Sequence, residues 1–192
     1  MGCLVAGKEG IFIPSMRLEV LISTDDIKAK IQELAKQIDA MVPKTDQPII
    51  LLGILKGSVH FLSDLSRELW NLGRDCHLEF MQVSSWHGET SSSGVVQIKK
   101  DLDSSIEGRD VVIVEDILDT GRTLSHLREL LGTRHPKSLQ ICALLSKPDA
   151  RIVNVECELI GFNIPNEFVV GYGLDFDERY RNLQYIAVFH QD

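Results

Sequence analysis

Apolar positions along the chain alternate between short continuous runs and longer repeats of three to four residues. The continuous or nearly continuous runs, typical of strands in a parallel sheet covered on both faces, lie at residues 49–54, 111–114 and 139–145. Residues 76–84 are a further strand candidate. The helical repeats, typical of amphipathic helices, lie at residues 27–41, 61–69 and 124–131. This alternation predicts an α/β fold in which helices flank a twisted parallel sheet.

Residues 111–123, with the sequence VVIVEDILDTGRT, join a strand to a group of polar residues. Glu115 and Asp116 follow the apolar run where the strand is predicted to end, and ligands of open α/β sheets bind beyond the carboxyl ends of the strands. Adjacent residues of an extended chain point to opposite faces. We therefore expect the two carboxylates to approach a ligand, such as a sugar diol, from two sides.

A short polar turn follows, built from Asp119, Thr120, Gly121, Arg122 and Thr123. It precedes a predicted helix, whose first backbone N–H groups and dipole attract an anion. Threonine hydroxyls can donate to that anion, and Gly121 lets the backbone approach it closely. The turn is therefore a predicted phosphate site. The chain has neither GxxxxGK followed by Ser or Thr nor GxGxxG, so nucleoside triphosphate or dinucleotide sites of those kinds are unsupported.

Over all thirteen positions, residues 111–123 resemble the phosphoribosyl pyrophosphate signature of the type I phosphoribosyltransferases. The resemblance implies the fold of that family, with a small hood of C-terminal and N-terminal residues. It implies that Glu115 and Asp116 face the ribose and its metal, and that residues 119–123 bind the 5′-phosphate. Asp119 would be the catalytic base that accepts or shares the purine N7 proton. Without the resemblance, the acids would cap a strand and Asp119 would hydrogen-bond its own turn.

Two further stretches resemble the pyrophosphate-binding parts of purine phosphoribosyltransferases. Leu55, Lys56 and Gly57 follow the strand at residues 49–54, in a loop where the family often joins Leu and Lys by a cis peptide bond. Arg181 matches an arginine that holds pyrophosphate. Without the resemblance, Lys56 and Arg181 would be interpreted as solvated surface charges, and Gly57 as an ordinary turn residue.

The segment at about residues 84–97 is rich in small polar residues, a composition typical of mobile loops. In the family the equivalent segment is a lid over the active site, and its closure excludes water, which would hydrolyse the activated sugar. The resemblance assigns Ser85 to pyrophosphate. Trp86 stands where many members carry tyrosine, so the hydroxyl of that position is missing here.

The resemblance extends to the base-binding part of the family. Lys147 follows a predicted strand and matches a lysine that donates to the exocyclic oxygen of a 6-oxopurine. An ammonium serves an adenine amino group badly, so Lys147 favours hypoxanthine or guanine. The hood is expected at about residues 156–192, with part of the N-terminal lead-in. Within it, the resemblance assigns Phe168 to stacking on the base, the Val169 backbone to the base edge, and Asp175 to the metal and the base edge.

These assignments imply transfer of a 5-phosphoribosyl group from phosphoribosyl pyrophosphate to N9 of hypoxanthine or guanine. Breaking the bond between C1 and oxygen leaves an oxocarbenium-like sugar beside a highly anionic pyrophosphate. The implied cofactor is Mg²⁺, held at Glu115, Asp116 and Asp175, where it would bridge ribose hydroxyls and pyrophosphate oxygens.

Composition and charge agree with a single globular domain over residues 1–192, with 44% apolar and 25% charged residues. The net charge of −8 argues against a nucleic-acid partner, which usually meets a basic face. Cys3, Cys76, Cys142 and Cys157 lack the CxxC spacing of a zinc site. No apolar run approaches about 18 residues and no signal peptide is recognisable, so we expect no membrane partner and a cytoplasmic location. The family tends to form dimers and tetramers, which implies a homo-oligomer.

Three alternatives stay open within the same fold. Some members sense phosphoribosyl pyrophosphate and regulate transcription, but they need no base-binding hood, and we expect no appended DNA-binding domain here. Adenine and orotate transferases share the thirteen-residue signature, but Lys147 and residues 168–175 speak against them. A preference for xanthine is not decided, because contacts at the purine 2-position involve backbone groups.

Overall fold

The structure, a computed structural model, describes residues 17–85 and 96–190, apart from the side chains of Ser85 and Val96. Within these residues the chain forms two β-sheets and three α-helices. None of the described helices combines the length and apolar composition needed to cross a membrane. The elements in chain order are β1 (Arg17–Ile22), α1 (Thr24–Met41), β2 (Ile49–Leu55), α2 (Val59–Asn71), β3 (Cys76–Ser85), β4 (Val96–Lys100), β5 (Asp110–Leu118), α3 (Arg122–Gly132), β6 (Ser138–Ser146), a 3₁₀ turn (Pro148–Ala150), β7 (Leu159–Asn163), β8 (Val169–Val170) and β9 (Ile186–His190).

The large sheet has six strands in the order β4-β3-β2-β5-β6-β7. The strands from β3 to β7 in that order run parallel to one another, and β4 pairs antiparallel with β3 at one edge. The first five residues of β5 are all buried, because helices cover both faces of the sheet. The predicted α/β fold with a mostly parallel sheet is therefore confirmed.

The side chains of β5 alternate between two hydrophobic clusters, one on each face of the large sheet. Val112 and Val114 pack into the cluster beneath α1 and α2, whereas Val111 and Ile113 pack into the cluster beneath α3. The helical residues that complete these clusters include Ile27, Ile31, Leu34, Ile38, Phe61, Leu62, Leu65, Leu69, Leu124, Leu127 and Leu131. Truncating one such side chain to alanine typically costs about 2–5 kcal/mol. This packing makes β5 a rigid support for the polar residues at its end.

A second, three-stranded sheet has the order β1-β9-β8 and is antiparallel. It joins the first described strand to the last two, so N-terminal and C-terminal residues meet in one small sheet. β7 lies inside the range of about 156–192 that the sequence predicts for the hood, yet it pairs with β6 as the edge strand of the large sheet. The small sheet therefore takes only β8 and β9 from that range.

Candidate active site

Polar residues gather at the carboxyl ends of β2, β5 and β6, three neighbouring strands of the large sheet. Lys56 follows β2, Asp119 follows β5, and Lys147 follows β6. This edge of an open α/β sheet is where ligands bind. The loops after β2, β5 and β6, which separate stretches of the sequence indicate, therefore lie side by side at the ends of rigid strands.

The acid pair, Glu115 and Asp116, lies inside β5 and not after it, because β5 continues to Leu118. The two carboxyl groups interact with each other, because the charge of Asp116 contributes to the raised pKa of Glu115. The Asp116 side chain also turns back onto its own strand, where its Oδ1 accepts from the backbone N–H of Ile117 at 2.7 Å.

Burial raises the pKa of both carboxyl groups of the acid pair. The pKa of Glu115 is raised well above its usual value, first by burial and then by the charge of Asp116. Burial raises the pKa of Asp116 to about 6, although the N–H of Ile117 and the Arg181 guanidinium act in the opposite direction. Ionising the buried pair therefore costs free energy, and a bound cation would offset that cost.

The oxygen atoms of the acid pair suit a hard divalent cation. Glu115 Oε2 is buried and meets no hydrogen-bond donor among the described residues, and carboxylate oxygens are typical ligands of Mg²⁺. In that same part of the chain, no three His, Cys, Asp or Glu side chains converge. A metal at this pair would thus take its other ligands from substrate and water.

Asp175, the third predicted metal ligand, is engaged elsewhere. Its Oδ1 lies 2.8 Å from Arg181 Nη2, and its Oδ2 accepts from the backbone N–H of Glu178 at 2.9 Å. Its role toward a metal stays a prediction.

The turn from β5 into α3 has the geometry of an anion site. Gly121 is the N-cap of α3, with a φ of 85°, a left-handed conformation that glycine adopts at no steric cost. A Cβ at this position would also lie 2.3 Å from the carbonyl oxygen of Val153, so the glycine admits a neighbouring segment as well as a ligand. Gly121 has no side chain to cap the helix, and the Thr120 hydroxyl accepts from the N–H of Arg122 only at 3.5 Å. The first N–H groups of α3, near Thr123, can therefore bind an anion.

Arg151 holds this turn from behind, a role that the sequence did not indicate. Its Nε donates to the carbonyl of Asp119 at 3.0 Å, and its Nη2 donates to Ser146 Oγ at 3.0 Å. The next two backbone N–H groups, of residues 152 and 153, donate to the carbonyl of Thr120 at 3.0 and 2.9 Å. The segment after β6 thus fixes the backbone of the turn after β5.

The loop after β2 lies against the acid pair. The peptide bond between Leu55 and Lys56 is cis, the isomer that the family resemblance implies. A Cβ at Gly57 would come within 1.4 Å of Asp116 Oδ2, so only glycine lets the loop approach the carboxylate this closely. The predicted pyrophosphate loop and the acid pair therefore form one surface.

The segment after β8 crosses over this loop. A Cβ at Gly173 would lie 1.9 Å from the carbonyl oxygen of Gly57, so the two backbones are in direct contact. Arg181 Nη1 donates to the carbonyl of Gly173 at 2.8 Å. The charge of Arg181 also opposes the rise in the pKa of Asp116, which places this arginine within electrostatic reach of the acid pair.

Lys56 and Arg181, the two predicted pyrophosphate cations, share one carboxylate. Lys56 Nζ lies 3.1 Å from each carboxylate oxygen of Glu178, and Arg181 Nη2 lies 3.2 Å from Glu178 Oε2. The hydrogen bond from Lys56 is the largest cause of the lowered pKa of Glu178. The structure thus brings the two cations together through a residue that the sequence did not indicate.

Lys147 is buried at the end of β6, with 8% of its surface exposed. Its backbone N–H donates to the carbonyl of Leu118 at 3.0 Å, which places it beside the turn after β5. Within residues 17–85 and 96–190, its ammonium has no hydrogen-bond or ion-pair partner. With no partner there, the ammonium of this otherwise buried residue is available to a ligand that supplies an acceptor.

Phe168 and Val169 offer a flat apolar surface and free backbone groups. Phe168 is 52% exposed, and its ring packs edge-on against Phe176 with the centroids 5.9 Å apart. Val169 lies opposite Val188 of β9, and the N–H of Phe189 donates to the Phe168 carbonyl at 2.9 Å. By the alternation of an antiparallel ladder, the N–H and C=O of Val169 then point away from β9. Both features suit a planar base.

The predicted lid lies largely outside the described residues. β3 ends at Ser85 and β4 begins at Val96, and Trp86 falls between them. The assignment of Ser85 to pyrophosphate and the closure of a lid stay predictions.

Comparisons with known proteins identify the family. A family model described as the phosphoribosyl transferase domain matches residues 23–177. The chain is 53% identical over 173 residues to the hypoxanthine-guanine phosphoribosyltransferase of Mycobacterium avium, an alignment that covers 88% of this chain and 83% of that protein. This chain belongs to the hypoxanthine-guanine phosphoribosyltransferase family.

Solved structures of hypoxanthine phosphoribosyltransferases share the fold. The crystal structure of the Staphylococcus aureus protein is 48% identical, with a TM-score of 0.82, and the match covers 90% of this chain and 91% of that one. The Trypanosoma cruzi protein is 39% identical, with a TM-score of 0.84 and the same coverage of 90% and 91%. The type I phosphoribosyltransferase fold predicted from residues 111–123 is therefore confirmed.

Proposed function

We propose that this chain is a purine salvage enzyme that transfers the 5-phosphoribosyl group of phosphoribosyl pyrophosphate to N9 of hypoxanthine or guanine. The products are the nucleoside 5′-monophosphate and pyrophosphate. Membership of the family supports the reaction. The observation that carries the choice of base is the buried Lys147, whose ammonium lacks an acceptor among the described residues and which lies beside the turn after β5.

Lys147 selects the base through its hydrogen-bonding chemistry. An ammonium only donates, so it pairs with the 6-oxo group of hypoxanthine or guanine and finds no acceptor in the amino group of adenine. Covering this ammonium with a base that offers it no acceptor typically costs about 1–3 kcal/mol or more, which favours the oxopurine. Phe168 would stack on the base, and the outward backbone groups of Val169 would bind its edge.

The turn at residues 119–123 would bind the 5′-phosphate. That group lies far from the reacting carbon, so its binding energy serves to hold C1 in position during the reaction. The contacts of Arg151 with Asp119 and of residues 152 and 153 with Thr120 support this role, because they fix the backbone of the turn.

Asp119 is the proposed catalytic base. As the bond between C1 and N9 forms, the purine must lose the proton on N7, and the Asp119 carboxylate would accept or share it. The Asp119 side chain is exposed and has no partner within the described parts of the chain, while its carbonyl is held by Arg151. General base assistance of this kind is typically worth about 10²- to 10⁴-fold in rate.

The leaving pyrophosphate takes the electron pair of the broken bond between C1 and oxygen. Lys56, Arg181 and the backbone of the loop at residues 55–57 would stabilise its charge, with Ser85 as a further donor. Glu115 and Asp116, with Asp175 as a further candidate, would hold Mg²⁺, which supplies Lewis-acid neutralisation of the ribose and pyrophosphate oxygens when bound.

We place the enzyme in the cytoplasm as a homo-oligomer, a dimer or a tetramer, without nucleic-acid or membrane partners. Cys76, Cys142 and Cys157 are free thiols, which persist in a reducing compartment. The structural study of the Trypanosoma cruzi relative concerns the role of its C-terminal region in oligomeric state. Large apolar side chains are exposed on α2 and β3, at Trp70 and Leu78, and such surface favours self-association.

The test is product formation by the purified protein with Mg²⁺ and phosphoribosyl pyrophosphate. Hypoxanthine, guanine, xanthine, adenine and orotate are offered separately. We expect rapid turnover of hypoxanthine, guanine or both, and none of adenine or orotate. Preferential turnover of xanthine would keep the reaction and change the base. If no base reacts while phosphoribosyl pyrophosphate binds, the chain is a sensor and the proposal is wrong.

A further inference from the structure

Glu178 lies between the two cations that the proposed function assigns to pyrophosphate. Both of its carboxylate oxygens lie 3.1 Å from Lys56 Nζ, and its Oε2 lies 3.2 Å from Arg181 Nη2 and 3.4 Å from Arg181 Nε. Lys56 and Glu178 are 122 positions apart in the sequence. One carboxylate therefore bridges the loop after β2 and the segment after β8.

Every nitrogen of Arg181 already has an acceptor. Nη1 donates to the carbonyl of Gly173 at 2.8 Å, Nη2 contacts Asp175 at 2.8 Å as well as Glu178, and Nε contacts Glu178. These contacts use four of the five N–H groups of the guanidinium, so among the described residues only one N–H of Nη1 has no acceptor. A pyrophosphate group that binds through two parallel N–H groups therefore has to replace at least one of these acceptors. The Gly173 carbonyl is held in the backbone crossing, and the Asp175 side chain is 30% exposed, whereas that of Glu178 is 64% exposed. Glu178 is the acceptor most free to move away.

The turn that carries Glu178 is built at a conformational cost. Phe176 and Arg179 pair through two backbone hydrogen bonds of 3.2 and 3.0 Å, and the two residues between them, Asp177 and Glu178, have φ values of 51° and 59°. Two-residue hairpin turns with positive φ favour glycine and asparagine, and a long side chain there is disfavoured. The conformation of the turn therefore does not favour glutamate, and what glutamate adds at this position is the contact of its carboxylate with Lys56 and Arg181.

We propose that Glu178 is a positioning residue that takes the place of pyrophosphate in the empty site. It holds Lys56 and Arg181 together before substrate binds, gives them up to the pyrophosphate group, and takes them back as pyrophosphate leaves. The inference rests on the proposed function. Its consequence is that the ion pairs of Glu178 compete with pyrophosphate, so their removal tightens pyrophosphate binding.

The test compares two variants that each remove one carboxylate charge from the same turn. Glu178→Gln removes the charge that bridges the cations. Asp177→Asn is the matched control, because Asp177 makes no side-chain hydrogen bond or ion pair with any described residue. Titration calorimetry with inorganic pyrophosphate and Mg²⁺ gives the affinity of each protein directly, and thermal unfolding checks that both variants fold.

We expect Glu178→Gln to bind inorganic pyrophosphate roughly two- to fivefold more tightly than the wild type, the range typical of exposed ion pairs. The KM for phosphoribosyl pyrophosphate should fall by a similar factor, while Asp177→Asn keeps the wild-type values. Equal or weaker binding by Glu178→Gln overturns the inference and leaves the proposed function standing. Equal tightening in both variants also overturns it, because net charge alone would then be responsible. If the wild type binds no pyrophosphate, the proposed function and the inference both fail.

Discussion

Lys147 is the residue on which the choice of base depends. We expect Lys147→Met, which keeps the length of the side chain and removes the donor, to raise the KM for hypoxanthine roughly 10- to 100-fold, in line with a lost charged hydrogen bond. The KM for phosphoribosyl pyrophosphate should change little. Steady-state kinetics measures both, and Lys36→Met on the exposed face of α1 is the control. An unchanged KM for hypoxanthine would remove Lys147 from the base site.

The acid pair predicts how stability depends on pH. Burial raises the pKa of Asp116 from 3.8 to about 6. A carboxyl group with a raised pKa in the folded protein favours folding while it is protonated, and that contribution is lost as the pH rises from about 4 through about 6. Asp116→Asn should therefore be more stable than the wild type by about 1–3 kcal/mol at neutral pH without metal. The gain should vanish below about pH 4.

Chemical denaturation of both proteins in chelator, repeated from acidic to neutral pH, tests this prediction. The same variant should lose most of its transferase activity, because Asp116 faces the proposed ribose and metal position. A stability difference that does not change with pH would show that the buried charge is not its cause.

Individual residues could be predicted from the sequence where their chemistry is local. The acids and the turn at residues 111–123 form one short motif, and the loop at residues 55–57 is equally compact. Arg151 and Glu178 were missed because their partners are 32 and 122 positions away. No spacing rule connects residues that meet only in the folded chain.

At the scale of elements, α3 and its N-terminal turn must keep their geometry for the phosphate site to form. Gly121→Ala places a Cβ at positive φ and against the Val153 carbonyl, so we expect a loss of about 1–3 kcal/mol in stability. The KM for phosphoribosyl pyrophosphate should also rise, by roughly tenfold or more, because the first N–H groups of α3 shift away from the phosphate.

Gly132→Ala at the other end of α3 is the matched control. A Cβ there meets nothing within 4 Å, and alanine favours a helix by up to about 1 kcal/mol over glycine. This variant should keep its KM and be as stable as the wild type or slightly more so. If the two glycine variants behave alike in kinetics and thermal unfolding, the geometry of the turn does not matter for binding.

Element positions were predictable from hydrophobic periodicity, but their ends and partners were less so. The run at residues 111–114 marks β5, yet the strand continues to Leu118 through two acids that no apolar pattern includes. β7 lies within the predicted hood but joins the large sheet, because its pairing with β6 is a contact between distant segments.

At the scale of the whole molecule, the segment beside the small sheet closes over the end of the large one. Gly173 contacts Gly57, and the Tyr172 hydroxyl donates to Asp64 of α2 at 2.6 Å. Burial and this bond to a carboxylate raise the pKa of Tyr172. The site thus depends on both sheets, which explains why its full composition is not readable from any one segment.

The exposed apolar surface of α2 and β3 predicts that the protein self-associates in solution. Trp70 is 69% exposed and Leu78 is 42% exposed, and both line one surface depression. If this surface joins subunits, Trp70→Glu should weaken self-association roughly 30-fold or more, as buried interface tryptophans typically do, while Trp70→Phe should not. Light scattering over a range of concentrations measures the mass of each. An identical mass for both variants would place the interface elsewhere.

Phosphoribosyl transfer is proposed to take place at the turn between β5 and α3, with Asp119 as the base. The most direct test is the kcat for hypoxanthine of the wild type and of Asp119→Asn, at saturating phosphoribosyl pyrophosphate and Mg²⁺. We predict an active wild type and a kcat lowered about 10²- to 10⁴-fold in the variant. The KM for phosphoribosyl pyrophosphate should change little, because backbone groups hold the phosphate. An inactive wild type would contradict transfer at this turn, and a variant as fast as the wild type would contradict the role of Asp119 as the base.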